Sequence, residues 1–158
     1  MTDAGLRGLA GLKQLQTLCL LGSNISDASL RELTALGQLQ ALDLSATAVT
    51  DQGLKELAAL KQLHSLGLGF TAVTGVSLNE LAGLGQLRVL DLSFSKLTDA
   101  GMKSVATLQH LRVLGLCRTD VTDAGLKELA ALKQLRELYL GGNPVAEIRE
   151  ALPRVKIE

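Results

Sequence analysis

LQALDLSATAVTDQGLKELAALKQ, residues 39–62, sets the pattern of the chain, and residues 111–134, LRVLGLCRTDVTDAGLKELAALKQ, repeat nearly all of it. Six consecutive blocks of this kind, each 24 residues long, follow one another without a gap. They begin at Leu15, Leu39, Leu63, Leu87, Leu111 and Leu135, and positions within a block are numbered here as places one to 24. Leucine fills places one, four and six of every block. This regularity predicts a repeat architecture.

The hydrophobic period changes within each block, which separates a strand from a helix. In the second block, Leu42 and Leu44 alternate with small or polar residues, as in a strand with one buried face. Leu54, Leu57 and Leu60 then recur every three residues, which predicts one apolar face of a helix. One such unit cannot cover its own apolar face. The blocks are therefore expected to stack into an α/β solenoid with a parallel β-sheet.

Short polar side chains mark the connection between strand and helix. Place nine holds Ser23, Thr47, Thr71, Ser95, Thr119 and Asn143. These side chains can bond the backbone groups left unpaired at the turn, which predicts a structural ladder. Thr50 occupies the expected helix N-cap, and Asp51 places negative charge at the positive end of the helix. The same pair recurs at residues 98–99 and 122–123.

The LxxLxL segment, the polar place nine and the T-D-x-G-L-x-x-L-A helix resemble the leucine-rich-repeat superfamily over residues 1–145. The sequence is similar to the short bacterial GALA-type repeats and to the cysteine-containing repeats of F-box substrate receptors. This resemblance implies a horseshoe or right-handed superhelix, with the sheet on the concave face and α-helices on the convex face. Place nine lacks the cysteine of the F-box type, and the sequence shows no F-box segment, so no ubiquitin-ligase role is implied.

A single domain spanning residues 1–158 is expected, in three parts. Residues 1–14 form an N-terminal half repeat, residues 15–134 five full repeats, and residues 135–158 a capping repeat. The half repeat is either a natural helical cap or the truncated end of a longer array. At the other end, Pro153 is expected to shorten the last helix, and Val155 and Ile157 alternate like one more strand.

The charge balance, the apolar runs and the cysteines of the sequence limit which partners and which cellular compartment are expected. Sixteen basic residues balance sixteen acidic ones, so no positive field favours nucleic acid or an anionic membrane. No secretion signal or bilayer-spanning apolar run is evident, which favours a cytoplasmic protein. Cys19 and Cys117 lie four repeats apart, roughly 19 Å at the spacing of strands, and are expected to stay reduced.

Residues that point out of the strands, at places two, three, five, seven and eight, are the candidates for partner binding. Place eight brings Phe70, Phe94 and Arg118 into one row, which resembles an interface hot spot. Alternatively, the two rings fill gaps left by Gly67 and Gly69. Place five adds Asp43, Asp91 and Tyr139, the aspartates about 10 Å apart and too distant to share a proton.

Arg88, Arg112 and Arg136 stack at place two. Such a like-charge ladder is unfavourable unless something opposes it, so it could bind an acidic segment. The alternative is that these arginines complement helix C-termini, with Glu137 and Asp91 as partners, and this interpretation is favoured because exposed charges are usually solvated.

No constellation of residues indicates catalysis, a cofactor or a metal site. His64 and His110 occupy different places of different blocks, and neither has a ligand set at metal-binding spacing. Cys117 lies beside Arg118 but has no histidine base within reach. The favoured function is a non-enzymatic scaffold that binds a protein or peptide on the sheet face. The alternatives are a piece of a longer repeat array, or a substrate adaptor or effector whose activity lies in another domain or chain.

Overall fold

The computed structural model describes residues 1–145, 148 and 152–158. Within them, one parallel sheet takes a strand from each block in sequence order, and a seventh strand follows. The strands are β1 (Thr17–Cys19), β2 (Ala41–Asp43), β3 (Ser65–Gly67), β4 (Val89–Asp91), β5 (Val113–Gly115), β6 (Glu137–Tyr139) and β7 (Lys156–Ile157). Leu42 pairs with Leu66, and Leu66 with Leu90, so equal block lengths keep equivalent places side by side. This confirms the predicted α/β solenoid.

The helical layer is more varied than predicted. Its α-helical segments are α1 (Asp3–Arg7), α2 (Leu54–Leu57), α3 (Asp99–Val105) and α4 (Asp123–Leu126). The remaining segments are 3₁₀ helices, η1 (Asp27–Ala35), η2 (Leu78–Gly83) and η3 (Lys127–Ala131). The prediction of an α-helix in every block is therefore wrong for the first and third blocks. Leucines three residues apart fit a helix with three residues per turn, which explains why 3₁₀ geometry buries them as well.

Leucines of the strands and of the helical segments form one continuous apolar core. Leu42, Leu66 and Leu90 on the strands are buried, as are Leu57 and Leu81 on the helical layer. The sheet and the helices thus form two layers, and each block covers the apolar face of its neighbours.

Place nine is the structural ladder that the sequence predicts. The hydroxyls of Thr47 and Thr71 donate to the carbonyls of Leu44 and Leu68, each at 2.6 Å, and both threonines are buried. Thr119 makes the same bond to Leu116 at 2.9 Å. Because each hydroxyl satisfies a carbonyl at the end of a strand, these side chains belong to the fold rather than to a site.

The aspartates at place thirteen also join neighbouring blocks, a role that the sequence did not predict. Helix α2 begins only at Leu54, and the Asp51 carboxylate accepts the backbone N–H and hydroxyl of Thr74, both at 2.8 Å. Asp3, Asp27 and Asp99 bond the Ser or Thr one block ahead in the same way. As predicted for N-caps, the hydroxyls of Thr50 and Thr122 accept the backbone N–H groups of Gln52 and Ala124, both at 3.2 Å. Thr98 stands at the N-cap of α3 but its side chain accepts no such bond.

The C-terminal strand agrees with the prediction from the alternation of Val155 and Ile157. β7 pairs with β6 in parallel, and the Lys156 ammonium forms an ion pair with Glu158. Most of the helix that Pro153 was expected to shorten lies outside the described residues. Cys19 and Cys117 are free thiols, as expected.

Candidate binding face

One side of the sheet is uncovered, and we call it the open face. It consists of places two, three, five, seven and eight of the blocks. Two shallow depressions lie on it, of about 280 and 300 Å³. The first crosses β1 to β4, and the second crosses β4 to β6 and is walled by Tyr139. Both are lined largely by short side chains, so the face offers grooves rather than an enclosed pocket.

From the second to the fifth block, place five alternates between aspartate and glycine for a steric reason that the sequence alone did not reveal. A Cβ on Gly67 would lie 2.6 Å from the Asp43 carboxylate. A Cβ on Gly115 would overlap the Asp91 carboxylate. Each glycine therefore provides the space into which the preceding aspartate leans. The carboxylates of Asp43 and Asp91 also accept the backbone N–H groups of Ser45 and Ser93, both at 2.9 Å. One oxygen of each aspartate is thus committed to the fold.

Place eight, which we call the loop column, adopts the left-handed backbone conformation in every block. Its members are Gly22, Ala46, Phe70, Phe94, Arg118 and Gly142, with φ between 51° and 85°. Glycine adopts this conformation readily, whereas a bulky side chain in it is strained. This feature was not predicted, although Gly22 and Gly142 at this place in the first and last blocks were a signal for it.

The two phenylalanines of the loop column stack on one another in solvent. Their ring centroids are 4.2 Å apart and their planes differ by 10°. Phe70 is 59% exposed and Phe94 is 42% exposed. The atoms nearest to the vacant Cβ positions of Gly67 and Gly69 belong to other residues, so the rings do not fill gaps left by those glycines. The gap-filling alternative from the sequence is therefore wrong.

Arg118 follows the phenylalanines in the loop column but extends away from them. Its Cγ lies 2.7 Å from where a Cβ on Gly142 would be, so its chain crosses the glycine of the next block. The expected row of Phe70, Phe94 and Arg118 is thus a stacked pair beside a cation directed toward the C-terminal end. A partner could contact both, although they do not pack together.

Arg88, Arg112 and Arg136 line up at place two, where the backbone N–H of each later arginine donates to the carbonyl of the earlier one at 2.8 Å. The Arg88 guanidinium donates to the Gly85 and Leu87 carbonyls, which lie beyond the end of η2 at Gly83. None of the three belongs to the ion pairs found among the described residues, so Glu137 and Asp91 are not their salt-bridge partners.

Glu137 and Tyr139 interact with each other on β6. The Tyr139 hydroxyl donates to a carboxylate oxygen of Glu137 at 3.0 Å. That hydrogen bond and the nearby negative charge raise the pKa of Tyr139 above its ordinary value. The phenol therefore stays protonated and holds the Glu137 carboxylate close to the strand.

Comparison with known proteins identifies the family. A family model described as "Leucine rich repeat" matches residues 85–145, and a second leucine-rich-repeat model matches residues 39–58. The chain belongs to the leucine-rich-repeat superfamily. No curated protein matches the sequence closely.

Solved leucine-rich-repeat structures share the fold. The chain resembles an internalin, inlF, of Listeria monocytogenes with a TM-score of 0.66 and 21% identity, covering 96% of this chain and 49% of that one. Internalin C2 of the same species has a TM-score of 0.65 and 22% identity, and the match covers 100% of this chain and 84% of that one. A leucine-rich-repeat protein of Leptospira interrogans gives 0.57 and 23%, covering 96% and 50%. The chain thus spans about half the length of two of these three proteins.

The leucine-rich-repeat array brings no metal-binding cluster together among residues 1–145, 148 and 152–158. No group of three or more potential metal ligands occurs there. His64 faces its own backbone, with Nδ1 2.6 Å from the Gln62 carbonyl, and His110 lies on another block. None of the helices in the described part of the chain is long and apolar enough to cross a membrane.

Proposed function

We propose that this leucine-rich-repeat protein is a non-enzymatic scaffold that binds a protein or peptide partner on its open face. The contact patch is centred on Phe70 and Phe94. The surrounding candidates on the same face are Asp43, Arg88, Asp91, Arg112, Arg118 and Tyr139. The observation that carries this proposal is the placement of two exposed aromatic side chains at backbone positions that favour glycine.

The strain at these positions argues against a purely structural role for the rings. A non-glycine residue held in a sparsely populated backbone region costs on the order of 1–3 kcal/mol. An aromatic pair returns about 0.5–1.5 kcal/mol beyond its buried area. The cost of two strained residues therefore offsets the stabilisation from one exposed stack, and the pair adds little to the free energy of unfolding. Strained residues that folding does not explain are a recurrent feature of binding sites.

The chemistry of the patch suits a protein partner. Aromatic residues and arginine are enriched in the centres of protein interfaces, where they lose their water on binding. Phe70 and Phe94 already stack, so less rotational freedom is lost when a partner covers them. Repeat solenoids commonly use an extended sheet face in this way.

Affinity enrichment with glycine substitutions tests the proposal. The variant Phe70→Gly/Phe94→Gly/Arg118→Gly removes three side chains and keeps residues that accept the left-handed conformation. The control variant Lys55→Ala/Val76→Ala/Lys127→Ala removes three exposed side chains on the helical layer. Thermal denaturation first checks that both variants have the same midpoint of unfolding as the wild type. All three proteins are then used for affinity enrichment from lysate of the source organism.

We expect wild type and the control to retain the same partner and the glycine variant to lose it. Equal retention by all three, at equal stability, would place the binding site elsewhere and contradict the proposed patch.

A further inference from the structure

We propose that Arg112 and Arg136 bind the carboxylates of an acidic partner segment, and that an apolar side chain of the same segment enters the depression bounded by Tyr139. This inference rests on the proposed function and specifies the chemistry of the partner. It concerns the rim of the open face at place two, at the opposite end of the strands from the phenylalanine pair.

The two arginines are close together and unpaired. The backbone N–H of Arg136 donates to the Arg112 carbonyl at 2.8 Å, and the two residues immediately precede the neighbouring strands β6 and β5, which lie about 4.8 Å apart. Both are exposed. Within the described residues, neither guanidinium has a hydrogen-bond or ion-pair partner. Adjacent like charges destabilise a sheet, so an anionic ligand that neutralises them would be favoured.

The nearby carboxylates do not neutralise this pair. Glu137 accepts the Tyr139 hydroxyl, and Asp91 accepts the Ser93 N–H. Arg88 lies one strand earlier but uses its guanidinium on the Gly85 carbonyl. Two free guanidiniums therefore remain beside one another, and each can bind a carboxylate in a bidentate manner.

The depression next to these arginines is an open groove with a largely apolar lining. Its volume is about 300 Å³. Val113, the first residue of β5, directly follows Arg112 and lines the depression with Val89, Gly115 and Tyr139. An apolar side chain adjacent to an acidic one can therefore enter the depression while the carboxylate stays at the rim.

The remaining charges determine how the segment is oriented. Asp91 and Glu137 lie over the strands, so they would repel carboxylates placed across the middle of the sheet. The acidic side chains must therefore lie at the arginine rim, with uncharged groups over the strands. Charge and shape together select an acidic segment that carries at least one apolar residue.

A peptide titration tests this inference. The probe is a fluorescein-labelled peptide, Glu-Glu-Glu-Leu-Glu-Glu-Glu, and the control probe has glutamine in place of every glutamate. We expect the acidic probe to bind wild type and to weaken as salt is raised. Arg112→Gln/Arg136→Gln should weaken binding at least tenfold, whereas Lys55→Gln/Lys127→Gln on the helical layer should leave it unchanged.

Four outcomes would overturn the inference. They are failure of the acidic probe to bind wild type, equal binding of the glutamine probe, equal loss in both charge variants, and full competition by inorganic phosphate at the concentration of the probe, which would indicate a phosphate site instead. The variant Phe70→Gly/Phe94→Gly should still bind the probe. Loss of lysate partners in that variant, with the probe failing on wild type, would retain the proposed function and reject only the acidic segment.

Discussion

Two neighbouring columns of the same turn follow opposite rules. Place nine, which we call the hydroxyl column, holds residues that satisfy buried backbone groups, as Thr71 does for the Leu68 carbonyl. The loop column, one residue earlier, requires a backbone conformation suited to glycine but contains Phe70, Phe94 and Arg118. Where the residue type suits the backbone conformation, the side chain stabilises the fold. Where the residue type is strained in that conformation, a role outside the fold is the simplest reason for keeping the residue.

The largest expected effect comes from breaking the hydroxyl column. Thr71→Val should lower the free energy of unfolding by about 1–3 kcal/mol, because it leaves the buried Leu68 carbonyl without its donor. Urea denaturation measures the change.

Thr107→Val is the matched control for this change. Its hydroxyl makes the same bond to a carbonyl three residues back, at 2.7 Å, but in an exposed position. A loss at Thr71 no greater than that at Thr107 would show that the hydroxyl column does not support the fold as described.

A smaller change in the free energy of unfolding is expected in the loop column, where a substitution by glycine should stabilise the protein. Ala46 has φ of 54°, so Ala46→Gly should raise the free energy of unfolding by about 0.5–1 kcal/mol as strain is relieved. Ala58→Gly, at a helix end with φ of −60°, should lower it by about as much. Two changes of the same sign in urea denaturation would contradict the assigned conformations.

The aspartates between blocks give a pH-dependent contribution at the N-terminal end. Hydrogen bonds from the Ser29 hydroxyl, then from the N–H and hydroxyl of Ser26, hold the pKa of Asp3 below its ordinary value. A lowered pKa in the folded state stabilises the protein above the ordinary aspartate pKa, and this stabilisation disappears as the pH falls through the folded value.

The destabilisation caused by Asp3→Asn should therefore be largest near neutral pH and shrink on acidification. Urea denaturation at a series of pH values measures it, and Asp120→Asn at an exposed position serves as the comparison. A pH-independent difference for Asp3→Asn would show that its charge does not contribute.

Much of the fold was predictable because the block length is constant. Equal blocks require that Leu42 lie beside Leu66, and the polar place nine indicated hydroxyls that satisfy the turn. The type of helix was not predictable, since leucines three apart suit both α and 3₁₀ geometry over so few residues. The bond that the Thr74 N–H donates to the Asp51 carboxylate was not predicted because it joins separate blocks, and helix capping explained the same residues locally.

The candidate site was predicted as a set of residues but not as an arrangement. The repeat register placed Phe70 and Phe94 on adjacent strands, and the structure shows them stacked. The direction of Arg118 depends on the space above Gly142, and the aspartates of place five depend on Gly67 and Gly115. Those effects arise because the glycine in the next block has no side chain and leaves room for its neighbour. A search for chemical groups along the sequence does not detect such space.

The central claim is that the phenylalanine pair is kept for binding and adds little to folding. The free energy of unfolding of Phe70→Gly/Phe94→Gly tests it most directly. Relief of strain should offset the lost stack and the greater freedom of glycine in the unfolded chain, so the variant should match wild type within about 1 kcal/mol. A loss of more than about 3 kcal/mol, typical of removing a buried aromatic ring, would show that the rings are part of the core and contradict the claim.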